Sequence, residues 1–128
     1  AAATHGHDLS VKVERAVAAP GPAFLNVLTD CPVGWGHEPR LFAQVIDTAV
    51  DCLFWPLYEV VDGSYRLTYT PPAVAPVADW LALQGRFAHL LRPENAAVVD
   101  DIQARIEADW QALNELCVVV PEPALARA

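Results

Sequence analysis

The chain has 128 residues, of which 54% are hydrophobic, and a formal net charge of −8. This length allows one compact domain with its own core but not two, and the apolar content excludes a disordered chain. The acidic balance argues against nucleic-acid binding, which needs Lys and Arg to neutralise phosphates, and no uninterrupted apolar run reaches the roughly 18 residues of a membrane span.

Cysteine usage and the first residues indicate the setting of the protein. The three cysteines, Cys31, Cys52 and Cys117, are odd in number and widely spaced, which does not indicate a disulfide framework. A reducing, cytoplasmic environment is therefore predicted. The chain does not begin with Met, and residues 1–4 lack the features of a secretory signal, so we expect a piece of a longer polypeptide.

The first part of the chain predicts a helix followed by a buried strand. Leu9 and Val13 recur at helical spacing within Asp8–Ala19, and Asp8 is expected to cap the start of this helix. A Pro-Gly-Pro sequence then ends the helix. The short apolar run Ala23–Leu28 is typical of a buried strand. Together these elements indicate the closing αβ unit of a larger parallel sheet, whose partner strands we expect from upstream sequence.

The remaining chain predicts helices arranged around one hairpin. Asp62-Gly63 separates two strand-like runs and is the strongest hairpin signal in the chain. Pro39 and Pro93 each stand at the favoured first position of a predicted helix. The predicted elements are a loop at Thr29–Glu38, a helix at Pro39–Leu53, strands at Leu57–Val61 and Ser64–Tyr69, an extended connector at Thr70–Pro76, a short helix at Val77–Gln84 and a long helix at Pro93–Cys117.

Cys31 is the residue whose setting most suggests chemistry. It lies just beyond the predicted buried strand, and ligands of open α/β sheets bind at the carboxyl ends of strands. Gly34 and Gly36 let the backbone approach a bulky group and expose N–H groups to sulfide or anionic oxygen. Pro32 lacks an N–H, and Cys-Pro pairs occur at some iron–sulfur sites. An ordinary buried thiol remains the alternative for Cys31.

Other cysteines and two histidines have simpler interpretations. Cys52 and Cys117 are predicted to pack, because no second cysteine stands two or three residues from either. His5 and His7 form either a small metal site or an exposed turn before a helix. Since no other ligand is near them in the sequence, the exposed turn is favoured.

No catalytic residue is assigned from the sequence. Cys31 and His37 are considered as a nucleophile–base pair, but no third, orienting group is apparent. Asp100-Asp101 needs no catalytic role, because negative charge is favourable at the start of a helix. The tryptophans are predicted to be core or interface residues: Trp35, Trp55, Trp80 and Trp110.

Three segments, taken together, carry a resemblance to a known family. GPAFLNVLTDCPVGWG (Gly21–Gly36) resembles the segment that closes the thiamine-diphosphate domain in the β subunit of pyruvate:ferredoxin oxidoreductases. FWPLYEVVDGSYRLTY (Phe54–Tyr69) is similar to the Trp-Pro-Leu-Tyr-Glu hairpin of that subunit. ADWLALQGRFAHL (Ala78–Leu90) is similar to its Gln-Gly-Arg-Phe block, and the likeness runs in the same order through roughly residues 1–117.

The resemblance implies part of a 2-oxoacid:ferredoxin oxidoreductase, with pyruvate as the first choice of substrate. Such enzymes decarboxylate a 2-oxoacid on thiamine diphosphate with Mg²⁺, transfer the acyl group to coenzyme A, and pass electrons through [4Fe–4S] clusters to ferredoxin. In the family's β subunit, three cysteines near the N-terminus and one late cysteine hold the cluster nearest the thiamine. Cys31 matches the late cysteine, and Pro32, Gly34 and Gly36 are implied to line the cluster.

The implied fold is α/β. Residues 1–36 are expected to be the final αβ unit of a thiamine-diphosphate-binding parallel-sheet domain, residues 37–117 a C-terminal extension of helices and a β-hairpin, and residues 118–128 a loose tail. The implied partners are the α, γ and δ subunits, ferredoxin, the 2-oxoacid and coenzyme A. Arg86 is expected either to pair with a partner carboxylate or to be an exposed structural residue.

The family's other cofactor ligands lie upstream of the matching segments. The isolated chain is therefore expected to be inactive and to bind neither thiamine diphosphate nor an intact cluster. The alternative is a non-catalytic subunit-docking module in which Cys31 only packs.

Overall fold

The computed structural model describes residues 1–117, so the predicted loose tail at residues 118–128 lies outside the described residues. The elements are α1 at Gly6–Ala18, α2 at Pro32–Trp35, α3 at Phe42–Asp51, β1 at Tyr58–Val61, β2 at Ser64–Leu67, α4 at Val77–Ala82 and α5 at Ala96–Leu116. Turns of 3₁₀-helix at Pro39–Leu41 and Pro93–Asn95 lead into α3 and α5, and another at Gly85–Phe87 follows α4. The fold is thus a mixture of helices and a small antiparallel sheet.

One parallel bridge, between Ala2 and Leu28, is all that the described residues contain of the predicted parallel sheet. Around it, Ala3 N–H donates to the Leu28 carbonyl at 2.9 Å, and Leu28 N–H donates to the Ala1 carbonyl at 3.0 Å. Because α1 lies between the two paired segments, it is a helical crossover between parallel neighbours. The sequence prediction missed this pairing, since it expected partner strands only from upstream sequence.

The prediction of a buried strand at Ala23–Leu28 is wrong for the described structure. Residues 23–27 form no strand and are exposed, with Phe24 at 88% exposure. None of the backbone N–H groups of residues 21–27 donates to a backbone carbonyl within residues 1–117. An apolar run becomes a buried strand only where neighbouring strands and a covering layer are present. The described residues supply only the bridge at Leu28.

Polar residues, rather than the predicted apolar face, attach α1 to the hairpin. The only buried residue of this helix is Lys12, whose Nζ donates to Asp8 Oδ2 at 2.7 Å and to Thr68 Oγ1 at 2.9 Å. Asp8 therefore pairs with Lys12 and does not cap the helix as predicted. The apolar face stays open to solvent, with Val17 82% exposed.

Glu59 on β1 makes a second polar contact with α1. Its Oε1 accepts hydrogen bonds from Arg15 of α1 and from Arg66 of β2, and its side chain is only 10% exposed. Burial raises the pKa of the Glu59 carboxyl, but the hydrogen bonds and charges of the two arginines outweigh this effect. The net result is a pKa below the usual value.

The predicted hairpin is confirmed. Tyr58 of β1 pairs with Leu67 of β2, and Val61 pairs with Ser64 at the turn. Asp62 and Gly63 have φ angles of 50° and 79°, and positive φ at both central residues is what a type I′ turn requires.

Helices α3, α4 and α5 pack around two adjoining cores. Trp80 of α4 lies in the first core, is 2% exposed, and donates its indole N–H to the Val45 carbonyl at 3.0 Å. The second core joins α3 to the base of the hairpin and includes Leu57. The predicted apolar face of α3 is confirmed by its buried residues: Val45, Ile46, Ala49 and Val50.

The predicted long helix is confirmed as α5, although fewer of its residues are buried than expected. Ile106 and Leu113 are buried, whereas Leu116 is 52% exposed. Asp100 and Asp101 follow the first turn of α5 instead of starting it, because the 3₁₀ turn takes up residues 93–95. Within residues 1–117, no helix combines the length and the apolar character that crossing a membrane requires.

We predict that replacing Glu59 by Gln weakens the attachment of α1 at neutral pH. A carboxyl whose folded-state pKa is lowered stabilises the fold above its ordinary value of 4.5, and this stabilisation is lost as the pH falls through the folded-state pKa. Urea unfolding at pH 7 should show a loss of about 1–2 kcal/mol, since both arginines are partly exposed to solvent. The difference from the wild-type protein should shrink in acid.

Glu14→Gln is the matched control, because Glu14 is an exposed residue of α1, the helix that Glu59 attaches. An equal loss in both variants would contradict a specific role for the Glu59 contact.

Candidate functional site

Cys31 begins a single helical turn where the sequence predicted a loop at Thr29–Glu38. Pro32 occupies the first helical position, and the Trp35 N–H donates to the Cys31 carbonyl at 2.8 Å. Gly36 ends the turn with a φ of 71°, in the left-handed region that favours glycine. The loop prediction was wrong here because the cap, the proline and the final glycine together favour one turn of α2.

The Cys31 sulfur caps this turn. Its Sγ accepts a hydrogen bond from the Gly34 N–H at 3.4 Å. Gly34 also leaves room beside the sulfur, since a Cβ at this position would lie 3.3 Å from Sγ. The thiol therefore has one backbone donor and little side-chain cover around it.

The three cysteines differ in their surroundings. Cys31 is exposed, so in this chain it does not pack in a core. Cys52 is fully buried, donates its S–H to the Ala49 carbonyl at 3.6 Å, and has a pKa raised by burial. The prediction that Cys52 packs is confirmed. Cys117 is half-buried at the end of α5, so packing is confirmed there only in part.

Two glycines join the cysteine loop (residues 31–36) to the segment after α4. The Gly85 N–H donates to the Gly36 carbonyl at 3.1 Å. A Cβ at Gly85 would lie 2.8 Å from that same oxygen, closer than real Cβ atoms come to other atoms. Only glycine at position 85 allows this approach without a shift of backbone.

Arg86 makes its contacts within the chain. Its guanidinium lies 4.1 Å from the centre of the Trp35 ring, and its Nε and Nη2 donate to Gln84 Oε1 at 3.0 and 2.7 Å. Gln84 is buried and donates its Nε2 to the Trp80 carbonyl at 3.0 Å. Burial lowers the pKa of Arg86. The arginine thus has a structural role beside the cysteine loop, and a partner carboxylate is not needed to explain it.

Asp30 and His37 flank the cysteine loop, and their side chains face each other. Asp30 Oδ2 lies 3.0 Å from His37 Nε2, and their side chains are 7% and 0% exposed. The two atoms meet at ion-pair distance without the alignment of a hydrogen bond, and each lacks any other hydrogen-bond partner. The other ring nitrogen, Nδ1, lies 3.0 Å from the Glu38 carbonyl. Both ring nitrogens therefore face groups other than Cys31.

This geometry does not form the nucleophile–base pair considered for Cys31 and His37. The orienting carboxylate that the sequence seemed to lack is present as Asp30, but it faces the nitrogen that a base would need. The surroundings of His5 can be described in the same way. His5 Nδ1 contacts Thr4 Oγ1 at 3.2 Å, and residues 1–117 hold no group of three or more potential metal ligands.

The residues around Cys31 fit one ligand of a shared metal centre. The exposed Cys31 sulfur, with one backbone N–H donor and glycines beside it, would have room to bind one iron of a cluster. Pro32, Gly34 and Gly36 all lie in the turn that carries this sulfur. A complete site is not present within residues 1–117, so the other ligands would have to come from other polypeptide.

Sequence reasoning missed three residues that support the loop. Gly85 and Gln84 lie far from Cys31 in the sequence, and the only available signal was the glycine in the Gln-Gly-Arg-Phe block. Asp30 was not considered, although an acidic residue and a histidine at the two ends of a short loop indicate a possible closing contact.

Comparison with known proteins identifies relatives of the chain. The pyruvate synthase subunit PorB of Thermotoga maritima is 38% identical over 107 residues, which are 83% of this chain and 33% of the relative. PorB of Methanocaldococcus jannaschii is 37% identical over 87 residues, 68% of this chain and 29% of the relative. The ketoisovalerate oxidoreductase subunit VorB of Pyrococcus horikoshii is 27% identical over 121 residues, 93% of this chain and 38% of the relative.

No family model matches the chain. The chain spans about a third of the length of the curated relatives it matches. The similarity nevertheless extends through most of the present sequence in several relatives, and it agrees with the resemblance carried by the three sequence segments. The chain therefore belongs to the family of PorB and VorB subunits of 2-oxoacid oxidoreductases.

Proposed function

We propose that the protein is part of a 2-oxoacid:ferredoxin oxidoreductase and that Cys31 is one of four ligands of its [4Fe–4S] cluster. In this role the complete enzyme converts a 2-oxoacid to acyl-coenzyme A and passes electrons to ferredoxin. The observation that carries the proposal is the exposed Cys31 sulfur, capped by the Gly34 N–H, in a chain similar to PorB subunits.

The residues of the cysteine loop act by holding and polarising one sulfur. The Gly34 N–H donates a hydrogen bond to Sγ at 3.4 Å. The same hydrogen bond withdraws electron density from the sulfur, which raises the reduction potential of a bound cluster. Pro32 begins the turn and Gly36 ends it, so the turn that carries the sulfur has defined limits. When bound, thiamine diphosphate with Mg²⁺ supplies carbanion stabilisation, and the cluster supplies one-electron transfer.

Most of the chemistry of the complete enzyme would belong to polypeptide outside this chain. The ligands of thiamine diphosphate, Mg²⁺ and the three remaining cluster cysteines belong to that part, so the isolated chain is inactive. The proposed partners are the other subunits of the complex, ferredoxin, the 2-oxoacid and coenzyme A, in the cytoplasm. The relatives' names support membership of a multi-subunit oxidoreductase.

Pyruvate is the proposed substrate, ahead of branched-chain 2-oxoacids. The relatives with the higher identities are pyruvate synthase subunits, whereas the ketoisovalerate subunits have lower identities. Turnover of the complete enzyme with pyruvate and with 2-ketoisovalerate, at matched concentrations, tests this choice. A higher kcat/KM for 2-ketoisovalerate would reverse it.

A subunit-docking module is the second candidate function. An apolar groove of about 550 Å³ lies between α5 and residues 53–56, and its lining includes Phe54, Ile102 and Trp110. This surface suits a neighbouring subunit, and docking is compatible with a ligand role for Cys31. The stricter form of this alternative, in which Cys31 only packs, is not favoured by the exposed sulfur.

We predict that Cys31→Ala removes the cluster nearest the thiamine in the complete enzyme, because alanine has no side-chain atom that can bind iron in place of the thiolate. Iron analysis and visible absorbance of anaerobically purified enzyme should show the loss of one cluster, and ferredoxin reduction should stop. Cys117→Ala is the control and should keep the full iron content. Normal iron in Cys31→Ala would rule out the ligand role.

We predict that Gly85→Ala displaces the cysteine loop, since the new Cβ would meet the Gly36 carbonyl at 2.8 Å. Overpacking of this kind costs about 1–3 kcal/mol. The complete enzyme should unfold at lower urea concentration and retain less cluster iron. Gly6→Ala is the control, because nothing lies within 4 Å of a Cβ at Gly6. If the two variants behave alike, the contact between Gly36 and Gly85 does not position the loop.

A further inference from the structure

We propose that Asp30 and His37 are a positioning pair that closes the cysteine loop and fixes the direction of the Cys31 sulfur. This inference rests on the proposed function, since it concerns the same loop. It adds two residues that neither contact the cluster in the proposal nor belong to the segments that line it. The juxtaposition that carries it is the 3.0 Å contact between Asp30 Oδ2 and His37 Nε2, at the two ends of the loop.

The position of the pair in the chain makes it a closing contact. Asp30 immediately precedes Cys31, and His37 immediately follows Gly36, so a contact between them joins the two ends of the cysteine loop. Backbone hydrogen bonds inside the loop, such as His37 N–H to the Pro32 carbonyl at 3.1 Å, hold the turn itself. They do not involve Asp30, the residue immediately before the cysteine. The side-chain contact with His37 connects Asp30 to the other end of the loop.

Burial strengthens the contact between the Asp30 and His37 side chains. The two side chains are 7% and 0% exposed, so water screens their interaction far less than it screens a surface pair. On its other side the His37 ring faces a fixed backbone group, since Nδ1 lies 3.0 Å from the Glu38 carbonyl. Removing either partner leaves the other polar group buried without compensation.

An exposed ion pair close to the cysteine loop in the chain provides a matched comparison. Arg40 Nε lies 2.5 Å from Glu38 Oε2, with the two side chains 76% and 65% exposed. This pair follows the cysteine loop in the chain by only a few residues, but it is solvated and does not join the ends of the loop. Exposed pairs of this kind contribute little to stability. Arg40→Gln therefore removes a nearby ion pair without opening the loop.

The test measures cluster retention in the complete enzyme, purified anaerobically. Asp30→Ala and His37→Ala each remove the paired contact, whereas Asn or Gln could still donate an amide N–H to the partner. Each should release iron to a chelator about 10- to 100-fold faster than wild type, since the loss of a supporting contact lowers metal affinity by about that factor. The EPR spectrum of the reduced cluster should also change, since the sulfur direction changes. The double variant should be no faster than the single ones, because all three lose the same contact.

The outcomes separate this inference from the proposed function. If Cys31→Ala keeps its full cluster, the proposed function fails and the inference fails with it. If Cys31→Ala loses the cluster while Asp30→Ala and His37→Ala keep the wild-type rate and EPR spectrum, only the positioning pair is overturned. Multiplying effects in the double variant would also overturn it, because the two residues would then act separately.

Folding of the variants completes the test. Arg40→Gln should match wild type in iron release, EPR spectrum and urea unfolding. If one of the two pair variants does not fold, the other alone decides between the expected and the wild-type rate. If neither folds, the inference is overturned, because the pair then supports the whole fold and not the loop.

Discussion

The carbonyl of Gly36 and the backbone of Gly85 meet at a distance that excludes any side chain on the second residue. This contact joins two segments that are otherwise held by different parts of the molecule. Gly85 follows α4, whose Trp80 and Leu81 are buried in the first core. Apolar packing of α4 therefore sets the position of Gly85. The turn that carries Cys31 receives its position from that core through the glycine contact. Arg86, stacked on Trp35, reinforces the same connection from the side.

Polar contacts position α1. Lys12 and Glu59 connect this helix to the hairpin, while its apolar face is left to solvent. Such a distribution is unusual, because the apolar stripe of a helix normally faces the core. Lys12 and Glu59 therefore orient the helix, while part of its apolar face, including Val17, stays exposed.

The sequence predicted best where short-range rules decide the structure. The Asp62-Gly63 turn and the apolar stripe of α3 were correct, because turn chemistry and helical spacing act within a few residues. The strand at Ala23–Leu28 was wrong, because burial of an apolar run depends on partners elsewhere. At the candidate site, sequence reasoning selected Cys31 and its glycines, and the ligand role itself stays a prediction. It missed Asp30 and Gly85, because their contacts depend on how the chain folds back.

The exposed segment that follows Pro22 has a consequence for the behaviour of the chain at high concentration. Phe24, Leu25 and Val27 are exposed, and no backbone N–H of residues 21–27 donates to a backbone carbonyl within residues 1–117, which is the pattern that recruits strands from other molecules. Pro22 limits pairing at one end, since it has no N–H to donate, but the remaining residues of this run carry no charge to deter it. Self-association of the chain should therefore rise steeply with concentration while these residues stay uncovered.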